Sequence, residues 1–194
     1  MSKSVLIING HPDPAAGHFC AAIAKAYEQG AHTGGHVVHR LDIGALTFPI
    51  LRSPKDWAET PPPPDIVKAQ ESVRRADHLV FIYPMWMGTM PALTKGFLEQ
   101  LFRPGFSHED APHGFPKPLL KGKSVRIIVT MGMPAFIYSL WFRAHALKNL
   151  ERNIFRFAGL APVRHSLIGM MGALSDARRE AILKKVSAHG RRAR

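Results

Sequence analysis

Apolar positions along this chain alternate between two patterns. Near-continuous apolar runs of strand length occupy 5–9, 78–83 and 125–131, and two more mixed runs lie at 37–41 and about 163–168. Between them, apolar residues recur every three or four positions over 17–33, 65–76, 91–102, 142–157 and 176–189, the spacing of one helix face. In the third of these segments Leu93, Phe97, Leu98, Leu101 and Phe102 share a face, with Lys95 and Glu99 opposite. Ser175 precedes the last segment as an N-cap. Strands alternating with helices predict an α/β architecture with a parallel sheet and right-handed crossovers. The continuous runs suit strands covered by helices on both faces.

Two stretches break the alternation. Residues 44–64 end in the prolines Pro61 to Pro64, and 103–123 is rich in proline and glycine; both predict irregular chain, the second a functional or interface loop. With 194 residues, no repeat and no boundary in composition, a single domain over 1–194 is expected. Cys20 is the lone cysteine, no long apolar segment lacks charge, and the first residues lack a signal-peptide layout. A cytoplasmic protein with no integral membrane segment is therefore expected. The net charge of +12 raises nucleic acid as a partner. The cations are dispersed, however, apart from the Arg191, Arg192, Arg194 tail and pairs such as Arg74–Arg75 and Lys184–Lys185, and no zinc-finger or aromatic-basic RNA motif occurs. A solvated basic surface that attracts anionic substrates is preferred, and no nucleic-acid partner is expected.

Candidate chemistry gathers at three strand ends. The first run stops at Asn9-Gly10-His11-Pro12 and a helix follows, which aims backbone N–H groups and a positive helix end at one spot, as a phosphate requires. The run at 78–83 passes into Pro84, Met85, Trp86, Met87 and Gly88, large soft side chains in a loop where a flat aromatic ligand would cover them; the alternative is that they fill core beneath the loop. The run at 125–131 closes on Thr130-Met131-Gly132, where Gly132 permits close backbone approach. Ligands of parallel sheets bind outside the carboxyl ends of strands, at the switch in strand order. The three segments together make a flavin site the leading reading. Downstream, Tyr138 and His145 lie seven apart and share one helix face if the segment is helical throughout; the alternative is an amphipathic helix packing aromatics on the core. No Walker A, G-x-G-x-x-G, G-x-S-x-G or H-E-x-x-H pattern is present. His108, Glu109, Asp110 and His113 compose a conceivable surface metal cluster, but a solvated loop is preferred and no metal is expected.

An ordered set of motifs then resembles the flavodoxin-like NAD(P)H:quinone oxidoreductases, the group of DT-diaphorase, bacterial quinone reductases, modulators of drug activity and potassium-efflux ancillary subunits. Its carriers are Gly10-His11-Pro12, Tyr83-Pro84 through Met90-Pro91-Ala92 with Lys95-Gly96 and Glu99, Thr130-Met131-Gly132 with Tyr138, and Phe157-Ala158-Gly159-Leu160. The resemblance spans nearly the whole chain. It implies a three-layer flavodoxin-like sandwich with sheet order 2-1-3-4-5, bound FMN or FAD, NAD(P)H as donor, a quinone-like acceptor reduced by two-electron ping-pong hydride transfer, and a homodimer. It also implies that His11, His18 and Phe19 surround the flavin phosphate, that Pro84 to Gly88 run along the ring, that Thr130, Met131 and Gly132 meet its other polar side, and that Tyr138 and His145 face substrate as catalytic residues. The phosphate loop departs from the family pattern of Ser or Thr, aromatic, Asn: it reads Ala15-Ala16-Gly17-His18-Phe19-Cys20, so phosphate binding leans on backbone groups with His11 or His18. The Tyr138–His145 spacing is one residue longer than usual. Arg103 or Arg143 would read a 2′-phosphate on the nicotinamide cofactor. Alternatives are a flavin-binding regulatory subunit of a membrane transporter, an azo- or nitro-reductase, and a basic, flavin-free nucleic-acid-binding protein.

Overall fold

The three continuous apolar runs form the middle of one sheet. In a computed structural model, which describes residues 1–15, 17–111 and 114–194, they are β1 (Ser4–Asn9), β3 (His78–Pro84) and β6 (Ser124–Thr130). The mixed runs become the edges, β2 (Val37–Asp42) and β7 (Val163–Ile168). All pair in parallel, in the order β2-β1-β3-β6-β7, which is the flavodoxin-like order that the family resemblance implies. Central strands are buried on both faces and so carry apolar residues at every position, whereas each edge strand is half wet.

Alternate side chains of the central strands feed two cores. Val5, Ile7, Val80, Ile82 and Ile128 meet α1 (Phe19–Thr33) and α7 (Asp176–Arg191) on one face. Leu6, Ile8, Leu79, Phe81 and Ile127 meet α3 (Pro64–Arg75) and α4 (Ala92–Leu101) on the other. The expected helix face of α4 is the buried one, with Phe97, Leu98 and Leu101 inside. Ser175 caps α7 as its position suggests, accepting from the Arg178 N–H.

Several expectations need correction. Residues 44–64 are not wholly irregular: a 3-10 turn covers Ile43–Ala45, and a short helix α2 (Pro54–Ala58) starts where the Ser53 hydroxyl accepts from the Asp56 N–H at 3.1 Å. The long loop at 103–123 holds a small antiparallel pair, β4 (His108–Glu109) with β5 (Lys117–Pro118). His108 is buried rather than solvated, its Nδ1 2.8 Å from the Ser107 hydroxyl; among the described residues no acidic and histidine cluster suits a metal, and His113 lies outside them. Arg103 is also buried, donating to the carbonyls of Trp57 and Asp56, and so is not free to read a phosphate. The helix expected over 142–157 is broken. Helix α5 (Ala135–Leu140) starts directly after Pro134, the chain turns through Arg143 and Ala144 at φ +50° and +49°, and α6 (His145–Asn149) continues as a π-helix over Leu150–Arg156. Among the described residues no helix is long and apolar enough to cross a membrane.

Candidate active site

β1 is followed by β2 on one side and flanked by β3 on the other, so the chain exits of β1 and β3 diverge and leave a cleft beyond the sheet. It has a volume of about 240 Å³. His11, His18, Phe19 and Cys20 contribute from the β1–α1 connection, Pro84, Met85 and Trp86 from the exit of β3, and Thr130, Met131 and Gly132 from the exit of β6. Met171, from the segment after β7, completes it. The three motifs that stand apart in sequence therefore meet in one place. Met87 and Gly88 form the tip of its lip, whereas Tyr138 and His145 lie outside the lining.

The first turn is built by close packing. The Gly10 N–H donates to the Ile82 carbonyl at 2.6 Å, and the Thr94 hydroxyl donates to the Gly10 carbonyl at 2.6 Å. A Cβ at Gly10 would stand 2.9 Å from the Ile82 oxygen and 3.0 Å from Thr94, so this glycine serves the sheet rather than a ligand. The imidazoles of His11 and His18 stack with centroids 3.7 Å apart and planes at 16°. His18 Nε2 lies 2.8 Å from an Asp13 carboxylate oxygen, and His11 Nδ1 accepts from the Asp13 N–H at 3.2 Å. Burial lowers the affinity of His11 for a proton, the neighbouring His18 adds to that, and a backbone contact with Asp13 opposes it. The N–H of Ala15 and then the His18 ring hold the Asp13 carboxyl below its ordinary range. No side chain caps the N-terminus of α1 and no acid lies in its first turn, which leaves the positive helix end facing the cleft.

The opposite wall is apolar and its rim is exposed. The Met85 N–H donates to the Thr130 carbonyl at 2.7 Å and joins the two strand exits. Trp86 and Thr89 exchange backbone hydrogen bonds across a two-residue turn in which Met87 and Gly88 take φ +48° and +81°. Both central residues of such a turn sit left-handed, easy for Gly88 and strained for Met87. The turn holds Met87 fully out in solvent and Trp86 half out, above the cleft. At Gly132 an added Cβ would meet nothing within 4 Å, so the backbone there is open to a ligand. The Thr130 hydroxyl is buried at the cleft and lies 3.5 Å from Cys20 Sγ. Burial pushes the Cys20 thiol up and keeps it protonated.

The shared helix face proposed for Tyr138 and His145 is also corrected. The break at Arg143 and Ala144 places them on separate helices. Tyr138 is buried, and its hydroxyl accepts from the Leu147 N–H at 3.2 Å; His145 is exposed. Two cleft residues escape sequence reasoning. Cys20 follows Phe19 and was legible only by adjacency, and Met171 arrives from a return segment that carries no motif.

The chain belongs to the flavodoxin-like fold family, whose pattern matches residues 3–190. It is similar to an uncharacterized NAD(P)H oxidoreductase of Haemophilus influenzae, 27% identical over 183 residues that cover 92% of this chain and 90% of the relative. It is similar to the mouse (Mus musculus) ribosyldihydronicotinamide dehydrogenase [quinone] at 25% identity over 190 residues, 88% of this chain and 77% of that one. The crystal structure of Smu.1420 from Streptococcus mutans UA159 superposes with a TM-score of 0.79 at 29% identity, covering 97% of this chain and 99% of that one.

Proposed function

We propose that this protein is a flavin-dependent NAD(P)H oxidoreductase that reduces quinones or similar acceptors. The observation that carries the reading is the meeting of an uncapped helix N-terminus, a stacked histidine pair and an exposed Met–Trp lip in one cleft at the switch point of the sheet. The names of the relatives from H. influenzae and mouse supply the donor and the acceptor class. When bound, a flavin supplies two-electron chemistry, taking a hydride from NAD(P)H and passing the pair to an acceptor.

The residues present fit such a group. The N–H groups that open α1, with His11 and His18, hold a phosphate, and the depressed proton affinity of His11 is reversed when an anion arrives beside it. Met85 and Trp86 cover a flat ring and exclude water from it. The open backbone at Gly132 approaches a polar ring edge, where N–H groups stabilise negative charge. The exposed face of α5, with Phe136, Leu140 and Trp141 at 65%, 76% and 81% exposure, is the surface a homodimer buries.

The visible spectrum of the purified protein, before and after anaerobic NADPH, tests this reading. Flavin bands that bleach and return on adding a quinone are expected, and mass analysis of the released group separates FMN from FAD. A colourless protein that gains no bands with either flavin overturns it.

A further inference from the structure

A larger hollow shares no lining residue with the cleft. It is a groove of about 1230 Å³ that runs along β7, and every residue of that strand lines it. Among the described residues β7 is an edge strand paired with β6 alone, so its outer side presents a row of backbone N–H and C=O groups. Across the groove stands α7 with Arg178, Ile182, Lys185 and His189, and Arg126 of β6 reaches in from the floor.

Among the described residues no Asp or Glu lines the groove, and Glu151 beside it is held by His165 at 2.7 Å, so the charge of the lining is positive. Arg126 is buried, donating through Nη1 to the Ser166 hydroxyl at 2.9 Å and through Nε to the main-chain oxygen of Arg194. Among the described residues none of Arg126, Arg164, Arg178 and Lys185 forms a salt bridge. The field is felt by His189: burial, and then the cations Arg126 and Lys185, bring its imidazole down to about 4. Cations on an edge strand often serve only to repel unwanted pairing. That role needs charge on the strand itself, whereas here Arg178 and Lys185 stand across the hollow on α7 and Arg126 on β6.

We propose that the groove takes an acidic, extended segment of a partner protein, which adds to β7 as a sixth strand of the sheet. Six residues of strand span about 20 Å, and β7 offers that length of free edge. The backbone of the segment pairs with the edge, and the carboxylates at its alternate positions face α7 and meet Arg164, Arg178 and Lys185. A second copy is a poor occupant, because 26 Lys and Arg outnumber 14 Asp and Glu in this chain. A small anion or a nucleic acid would satisfy the cations and leave the strand edge unpaired. The proposal does not depend on the flavin reading.

The test is fluorescence anisotropy of a labelled hexapeptide, Glu-Val-Glu-Val-Glu-Val, titrated with the full chain at low salt. Parallel titrations use the same peptide with a central proline, its Lys-for-Glu counterpart, and labelled oligothymidylate. Both side chains of the double variant Arg164→Glu, Lys185→Glu are exposed and outside the cleft. Binding of the acidic peptide is expected, weakened at least about tenfold by the double variant and by the proline, with slowed amide exchange along β7. Failure of the acidic peptide to bind overturns the proposal. So does equal binding of the proline peptide or of oligothymidylate, since charge alone would then account for it.

Discussion

At the scale of single residues, Tyr138 sends its hydroxyl into the core, where it accepts the Leu147 N–H at 3.2 Å, and burial raises its affinity for its proton. The family resemblance implies a substrate-facing phenol at this position. The fold predicts a different result. Tyr138→Phe leaves a buried N–H without an acceptor, which costs about 1–3 kcal/mol of stability, while turnover per bound flavin stays at the wild-type value. Thermal melts and steady-state rates normalised to flavin absorbance check both halves, and a fall in rate per flavin would return the hydroxyl to the site. The loss of the shared helix face has a physical origin. Seven residues of helix bring two side chains to one face, but Arg143 and Ala144 sit left-handed, and nothing in either residue type announces that geometry. Cleft residues that follow a strand end directly, such as His11, Met85 and Met131, were legible because a strand fixes the position of what comes next. Met171 was not, since a long return path carries it in.

Among elements, the crossing of α1 and α7 is the tightest contact in the molecule that depends on missing side chains. A Cβ at Gly30 would overlap the Ser187 backbone, one at Gly34 the Arg191 backbone, and one at Gly190 the Tyr27 carbonyl. Gly30 in the last turn of α1 and Gly34 at its C-cap thus let the two helix backbones touch at the end of α1 opposite the cleft. None of these glycines needs a left-handed backbone, because none appears among the positive φ values. Gly30→Ala therefore raises helix propensity by about 1 kcal/mol and still destabilises, since backbone atoms have no way to yield; a net loss of roughly 2–4 kcal/mol is expected. Chemical denaturation measures it, and an unchanged or raised midpoint would show that the helices separate freely. Gly34→Ala is expected to behave likewise. The strands were readable from the chain because continuous apolar runs have few other uses, whereas their order was implied only by the family resemblance. The pairing of these glycines with α7 was not, since a glycine in a helical segment reads first as a weakness. The π-helical turn over Leu150–Arg156 was likewise invisible, as its period differs little from an α-helix over so short a span.

The whole molecule carries a large positive charge, and its response to pH is set by histidines that the fold keeps neutral. His78, at the end of β3 remote from the cleft, is fully buried, with Nε2 2.9 Å from the Tyr27 hydroxyl and Nδ1 2.7 Å from the Ser124 hydroxyl. It ties α1, β3 and β6 together. Burial, with Lys3 and Arg126 nearby, brings its imidazole down from 6.5 to about 3. The unfolded chain therefore takes up a proton on this ring as the pH falls below 6.5, while the folded chain refuses it until about pH 3. Stability present above pH 6.5 is lost across that window, by up to about 1.4 kcal/mol per pH unit. His189 shifts in the same direction, with a smaller effect because it is partly exposed. Melting curves between pH 7.5 and 4.5 are expected to fall steeply for the native chain and less steeply for His78→Gln, which keeps a polar group beside Tyr27 and does not titrate. The comparison rests on slopes, because the variant is also expected to begin from a lower melting temperature. Parallel slopes would place the acid sensitivity in other titrating groups and remove His78 from the account.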